Sequence, residues 1–176
     1  MDRHAEREKR VMPSHLRTEY DTEIREAKNI DIQSIYEVLS DAFQSYRQDY
    51  TEEAYNATVI SPDEIEKRMN EKRTEMLVIV YHNKIVGTAT ITMTRNSKLY
   101  IRSMAVRPHI QRSGIGSLLL EEIDMRARQK KCTIISLECY EPLTSAIKLY
   151  EKHGFRRTEK TRSYHGITIF EMKKEL

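Results

Sequence analysis

Two glycines at the start of a helical segment constrain this chain more than any other feature. Residues 114–116 read Gly-Ile-Gly and follow an extended run, 99–106, that Pro108 ends because proline has no amide hydrogen to donate. An apolar stripe at helical spacing predicts an amphipathic helix from Gly114 to Gln129. The first amides of a helix lack internal partners and lie at the positive end of its dipole. This unit suits an anion such as a pyrophosphate, although glycines at a helix start also serve close packing.

The rest of the chain predicts the element order β α α β β β α β α β β. Alternating or apolar runs predict strands over 23–28, 76–81, 84–94, 99–106 and 133–140, and a strand pair over 156–175 that turns at His165-Gly166. Helices are predicted after Asp31 as N-cap, after the Ser61-Pro62 cap, over 114–129 and over 145–153, with Gly154 as the left-handed end. A turn is predicted at His82-Asn83, and a tyrosine-bearing connection after Phe43.

Composition narrows the class of protein. The 176 residues suffice for one globular domain, and 30 basic against 27 acidic residues are too balanced to indicate a nucleic-acid or membrane partner. No apolar run is long enough to span a membrane, and the six histidines are too scattered to predict a metal site. Cys132 and Cys139 are expected to be free thiols, which indicates a cytoplasmic location. Residues 1–21 are predicted to form a charged arm, in which Met12 is an alternative start of translation.

Two sequence blocks resemble the GNAT N-acetyltransferase superfamily. Gln111 to Gly116, Q-R-S-G-I-G, matches the acetyl-CoA pattern Q/R-x-x-G-x-G/A, and Ala146 to Phe155 is similar to the element A-x-x-x-Y-x-x-x-G-F. Their order and spacing agree, so the resemblance covers a domain over 22–176. It implies a single α+β domain with a mixed, mostly antiparallel seven-stranded sheet, helices on both faces, and a fourth and fifth strand that splay apart.

The resemblance also implies acetyl-CoA as co-substrate and no metal. Backbone groups of the fourth strand would bind the pantetheine arm, an amide near Val106 would polarise the thioester carbonyl, and amides of the glycine loop would bind the pyrophosphate. The implied cofactor-binding residues are Met104, Ala105, Val106, Gln111, Arg112, Ser113, Gly114, Ile115 and Gly116. One position departs from the pattern, because Leu143 stands where many members have an asparagine.

Two residues are candidates for the catalytic proton transfers. Tyr150 matches the family tyrosine that protonates the departing thiolate; its alternative role is a core aromatic. Glu138 shares one face of its predicted strand with Ser136 and Tyr140, and a carboxylate there suits a cleft. Partial burial would raise its pKa and make it a general base. The alternatives are a solvated glutamate, a glutamate paired to an arginine, or a water chain as the base.

The acceptor side is predicted from the connection after the first helix and from the final hairpin. Tyr46, Tyr50 and Tyr164, with Tyr55 and His165 nearby, could line a pocket for an aromatic or cationic acceptor, or could simply cover helix ends. Cys139 is a buried thiol rather than a nucleophile, since no histidine partner is evident.

The predicted function is transfer of an acetyl group from acetyl-CoA to a primary amine of a peptide or small molecule, by direct attack in a ternary complex. The alternative is a non-catalytic acyl-CoA-binding or protein-interaction module of the same fold. A homodimer is possible, as dimers are common in the family.

Overall fold

The computed structural model of this protein describes residues 22–176, which form one seven-stranded sheet in the order β1-β2-β3-β4-β5-β7-β6. The predicted arm over 1–21 and the alternative start at Met12 lie outside the described residues. The strands are β1 Thr22–Glu26, β2 Thr74–Tyr81, β3 Lys84–Met93, β4 Lys98–Val106, β5 Ile134–Tyr140, β6 Arg156–Tyr164 and β7 Ile167–Glu175.

The pairing of β4 with β5 sets this sheet apart from a simple antiparallel one. Every other neighbouring pair is antiparallel, whereas β4 and β5 run parallel. Their register covers only Lys98 to Ile101 against Ile134 to Leu137, although both strands continue beyond it. The predicted mixed sheet and its splayed fourth and fifth strands are therefore confirmed.

Five α-helices accompany the strands within residues 22–176, one more than the sequence predicted. They are α1 Ile32–Phe43, α2 Glu52–Thr58, α3 Pro62–Met69, α4 Ile115–Gln129 and α5 Thr144–Lys152. The additional helix is α2, which falls in the predicted connection and begins where the Thr51 hydroxyl accepts a hydrogen bond from the Ala54 amide. No helix within residues 22–176 has the length and apolar character that a membrane crossing requires.

Helix ends and turns largely follow the local sequence. Ser61 caps α3 by accepting the Glu64 amide, and His82-Asn83 and His165-Gly166 both have the positive φ values of tight hairpin turns. The predicted capping by Asp31 is wrong in its contacts. Asp31 precedes α1, but its carboxylate binds the Arg25 guanidinium and the Lys28 amide instead of the helix amides.

The sheet has helices on both faces, as the resemblance implied. Strand β2 shows the division, because Met76 and Val78 pack with α1 and α3, while Leu77 and Ile79 pack in clusters that contain α4. Helix α5 joins α4 on its face through Tyr150, and α2 lies against Ile167 and Ile169 of β7 on the opposite face. The splay between β4 and β5 therefore lies between two helical layers.

Candidate active site

A cavity of about 760 Å³ lies at the gap between β4 and β5. Its wall includes residues of both strands beyond their last pair, the start of α4, and side chains from α5 on one face and α3 on the other. The predicted site residues on this wall are Tyr46, Tyr50, Met104, Ala105, Val106, Gln111, Arg112, Gly114, Gly116, Glu138, Tyr150 and Tyr164. Ser113 and Ile115 are not on the wall, since the Ser113 hydroxyl donates to the Ile110 carbonyl and Ile115 is buried in the core.

A bulge shapes β4 where it leaves β5. Thr88 and Thr90 of β3 pair with Ala105 and Arg102, so two β4 residues stand opposite one residue of β3. Ser103 lies in this bulge with a φ of 51°, a left-handed conformation that is uncommon outside glycine. The bulge therefore re-aims the β4 backbone at the cavity.

The Val106 amide faces the gap. The next amide, that of Arg107, donates to the Val86 carbonyl of β3 at 2.8 Å, and successive residues of a strand direct their amides to opposite edges. The Val106 carbonyl shares this direction and accepts a hydrogen bond of 3.0 Å from the Gln111 side chain. Gln111 thus holds the end of β4 against the loop that leads to α4.

The loop before α4 presents a run of free amides. Within the described residues, the amides of 112–117 make no backbone hydrogen bond, whereas the Gln111 amide donates to the Pro108 carbonyl. The run therefore begins one residue later than the sequence predicted. Gly114 has a φ of 91°, which favours glycine. Gly116 lies close to α5, since a Cβ there would come within 2.8 Å of Cδ2, the end of the Leu149 side chain.

Glu138 is an anchored carboxylate, and the predicted rise of its pKa is wrong. Arg162 donates to both carboxylate oxygens at 2.6 Å, and the Tyr100 hydroxyl donates to Oε2 at 2.9 Å. The hydrogen bonds from Arg162 lower the pKa of Glu138 most, and the bond from Tyr100 lowers it further, which outweighs the effect of partial burial. The glutamate paired to an arginine, an alternative from the sequence, is the arrangement observed.

Tyr150 lies in the core and also on the cavity wall. Its ring packs against Phe155 with centroids 5.8 Å apart, and 8% of the residue is exposed. Burial raises the pKa of Tyr150 well above the usual value, so the phenol is protonated at neutral pH. Its hydroxyl makes no hydrogen bond with another residue of 22–176. The core role and a proton-donor role are therefore compatible.

An aromatic cluster forms the wall on the α2 face. The buried Tyr50 ring packs edge-on against Tyr140, with centroids 5.0 Å apart, and also contacts Tyr55. Two hydrogen bonds hold the segments that carry this cluster: the Thr51 hydroxyl donates to the His165 carbonyl at 2.5 Å, and the Tyr140 hydroxyl donates to the Asp49 carbonyl at 2.7 Å. Tyr55 and His165 support the wall without lining it.

Both cysteines are free, as predicted, and the burial predicted for Cys139 is found for Cys132 as well. Burial raises the pKa of the Cys139 thiol to about 11, so very little thiolate is present at neutral pH. Among residues 22–176, no cluster of three or more histidine, cysteine or acidic side chains could hold a metal ion. Leu143 lies on the cavity wall at the start of α5 and presents an apolar side chain there.

Sequence reasoning missed several polar residues of the wall. Tyr100 and Arg162 hold Glu138, and Arg68 of α3 donates from Nη1 to the Ser103 hydroxyl at 3.0 Å. A signal for Arg162 did exist, because the two-residue turn at His165-Gly166 fixes the register that pairs Arg162 with Ile169. The missed residues nearest to Glu138 or on the α3 face of the wall are Arg68, Tyr100, Arg102 and Arg162.

Comparison with known proteins identifies the family of this chain. The family model described as an acetyltransferase (GNAT) domain matches residues 43–176, which is more than half of the chain. The chain belongs to the GNAT acetyltransferase family.

Solved structures share the same fold. The PaiA N-acetyltransferase of Thermoplasma acidophilum, in complex with coenzyme A, superposes with a TM-score of 0.78 at 18% identity, covering 89% of this chain and 99% of that one. The ribosomal-protein-S18-alanine N-acetyltransferase of Escherichia coli gives 0.70 at 19% identity, with 88% and 94% covered. A GNAT acetyltransferase of Elizabethkingia anophelis with acetyl-CoA bound gives 0.63 at 20% identity, with 88% and 98% covered. At these identities the likeness concerns the fold.

Proposed function

We propose that this protein transfers an acetyl group from acetyl-CoA to a primary amine of a peptide or small molecule, by direct attack in a ternary complex. The observation that carries the proposal is the cavity at the β4–β5 gap, which connects free amides at the start of α4 with unpaired backbone of β4. Family membership and the coenzyme complexes of two proteins with this fold support it.

The wall residues fit acetyl-CoA as the acetyl donor. Amides of 112–117 at the positive end of α4 suit a pyrophosphate, and Arg112, Lys148 and Lys152 add positive charge to the wall. The unpaired edge of Met104 to Val106 offers peptide groups to the amide-rich pantetheine arm. Ser113 and Ile115 would take part through their amides only.

Transfer requires one bond to form and one to break. The nitrogen lone pair of the amine attacks the thioester carbonyl carbon, the C–N bond forms, and the C–S bond breaks with its electron pair on sulfur. The nitrogen loses one proton to a base and the sulfur gains one from an acid. The Val106 amide, which faces the gap, would stabilise the negative charge that develops on the carbonyl oxygen. Holding both reactants in one cavity would supply much of the acceleration.

Tyr150 is our proposed acid. Its phenol is protonated, lies on the wall and has no competing hydrogen bond within residues 22–176, so it is available to the sulfur. The base is either Glu138 or a chain of water. With both oxygens held by Arg162 and Tyr100, Glu138 is ionised but weakly basic, so it would act once that hold is loosened.

The test is a thiol-release assay with acetyl-CoA across a panel of amines. We expect turnover with some amines, and a fall in kcat of roughly 100-fold in Tyr150→Phe, the size typical of one general acid. This variant keeps the ring that packs on Phe155, so unchanged thermal stability and coenzyme A affinity are its controls. Acetyl-CoA binding without thiol release on any amine would favour the non-catalytic module instead. Loss of a pulled-down partner on deletion of 1–21 would favour the protein-interaction alternative.

The proposal also covers the cellular location and the partners of the protein. Two free, buried cysteines suit a reducing cytoplasm. We also keep the partners predicted from the sequence, namely an amine acceptor, with no nucleic acid or membrane, and a possible homodimer that sedimentation would detect. The domain over 22–176 would then carry the whole activity without the arm.

A further inference from the structure

The cavity wall on the α3 face is rich in arginine. Arg68 of α3, Arg102 of β4 and Arg162 of β6 all line it, together with Glu138, which is the one carboxylate on the wall within the described residues. The side chains of Arg68 and Arg102 are 14% and 28% exposed, so water screens their charges only in part. An anion in this part of the cavity would meet three guanidinium groups.

Each of these guanidinium groups is only partly occupied. Glu64 binds Nε of Arg68 at 3.0 Å and Glu71 binds Nη2 of Arg102, and neither glutamate lies on the wall. Within residues 22–176, Nη2 of Arg68, Nη1 of Arg102 and Nη1 of Arg162 donate no hydrogen bond, and none is among the fully buried atoms that lack a partner. The wall therefore offers donors to a ligand.

A cationic ligand would bind less favourably in this part of the cavity. Both oxygens of Glu138 already accept hydrogen bonds from Arg162, and Oε2 also accepts one from Tyr100. A second ammonium group of a polyamine would have to displace Arg162 while lying near two further guanidinium groups, and like charges in such a site repel.

We propose that the acceptor is an amine that also carries a carboxylate, which Arg162 and its neighbours Arg68 and Arg102 bind. This inference rests on the proposed acetyl transfer and names the substrate class of the same cavity. Free amino acids and peptides that begin with an acidic residue share this chemistry, and the assay below separates them.

Arg162 would also couple recognition to proton removal. Its guanidinium lies 5.3 Å from the centroid of the Tyr164 ring and forms a two-point pair with Glu138. A carboxylate of the acceptor competes with Glu138 for this guanidinium. As Arg162 turns to the acceptor, Glu138 regains basicity beside the amine and can take the one proton that the nitrogen loses as the C–N bond forms. An acceptor without the carboxylate would leave Glu138 paired with Arg162 and weakly basic.

The experiment compares acceptors that differ only in this charge. Thiol release would be measured for free α-amino acids against their carboxamides, and for peptide amides that begin with Asp or Glu against those that begin with Asn or Gln. We expect kcat/KM to favour the charged member of one set by roughly 10- to 100-fold, the worth of one or two hydrogen bonds to a charged group. The set that shows the preference identifies the source of the carboxylate.

Arg162→Gln should abolish this preference, and Arg157→Gln is its matched control. Arg157 also lies on β6, pairs with Glu141 and is 49% exposed against 51% for Arg162, but it does not line the cavity. We expect the charged-to-neutral ratio of kcat/KM to fall toward one in Arg162→Gln and to stay unchanged in Arg157→Gln. A ratio that falls equally in both variants would overturn the inference.

Binding separates this inference from the proposed function. Calorimetry of each acceptor on the protein saturated with coenzyme A reports the arginine site without any turnover. Tighter binding of the acids than of the amides, without thiol release, would refute the acetyl transfer but support the anion site. Equal binding and equal turnover of acids and amides, or a preference for diamines, would refute the inference and leave the transfer standing.

Discussion

Gly87→Ala tests how tightly the core holds β4 in position. Gly87 is buried in β3, and a Cβ there would lie 2.7 Å from Ile79 Cγ2, 3.2 Å from the Ala105 carbonyl oxygen and 3.3 Å from Leu119 Cδ1. Ile79 and Leu119 are both fully buried, and Ala105 belongs to the β4 edge at the gap. Relief of the clash must therefore come from packed side chains or from the backbone of the site.

The expected cost follows from these distances. Carbon atoms in contact prefer about 3.5–4.0 Å, so Ile79 Cγ2 must retreat by close to 1 Å. Overpacking of buried neighbours costs about 1–3 kcal/mol, and three close contacts indicate the upper part of that range. Burial of the added methyl returns about 0.8 kcal/mol, and replacing glycine within a strand returns about 0.5–1 kcal/mol. The net destabilisation is about 1 kcal/mol, which lowers Tm by about 2–4 °C in a domain of this size.

Thermal unfolding followed by circular dichroism measures this shift, and Gly116→Ala is the informative comparison. A Cβ at position 116 meets only Leu149 Cδ2, at 2.8 Å, which is the end of a half-buried side chain. Alanine also favours the first turn of α4 over glycine. We expect Gly116→Ala to melt within 1 °C of the parent protein, or above it. A Tm of Gly87→Ala equal to the parent value or higher would refute the packing argument.

Three further predictions concern stability and reactivity. Asp31→Asn should cost about 1.5–3 kcal/mol in urea unfolding at pH 7, because the buried carboxylate accepts charged hydrogen bonds from Arg25. Those bonds lower the pKa of Asp31 in the folded protein. Its contribution to the free energy of unfolding is therefore complete above the unfolded pKa of about 3.9 and disappears as pH falls through the lower native pKa. If Asp31→Asn loses no more stability at pH 7 than at pH 2, this explanation is wrong. Cys139 has a pKa of about 11, so iodoacetamide at pH 8 should alkylate it far more slowly in the folded protein than in the protein unfolded in urea. Mass spectrometry measures both rates, and equal rates would argue against its burial. Thr51→Val removes the α2 cap and the bond to His165, so Tm should fall, and a Thr58→Val control should lose less.

The elements that the sequence predicted well are those with a strong local signal. Ser61-Pro62 begins α3, His82-Asn83 forms the β2–β3 turn and Gly154 follows α5 in a left-handed conformation, each because nearby residues dictate the backbone. Helix α2 was missed because Ala54 is its one buried residue, so no apolar stripe marks it. Its position depends on contacts with β7, which a local pattern does not reveal.

The site shows the same division between local and long-range information. The glycine loop and the residues of β4 could be predicted because motif and strand adjoin in the sequence. The pKa of Glu138 could not, since its direction depends on Arg162, 24 residues away, and on Tyr100, 38 residues away. Strand alternation placed Glu138 on a cleft face, but only the registers of β4, β5, β7 and β6 decide which side chains meet it there.

The gap between β4 and β5 leaves each of the two strands paired on its other edge. Beyond Ile101, β4 keeps β3 as a partner, and beyond Leu137, β5 keeps β7, so each strand loses hydrogen bonds on one edge alone. Unpaired peptide groups in a buried position are costly unless a ligand or water satisfies them. The helical layers on both faces therefore help the short β4–β5 ladder to hold the two halves together, and Arg107 fixes the β4 side by joining the end of β4 to α1 and to the Ile85 carbonyl of β3. The free edges are then available to a molecule with its own peptide-like groups, and in the proposed function the same break in pairing that weakens the sheet would provide the surface that binds the pantetheine arm.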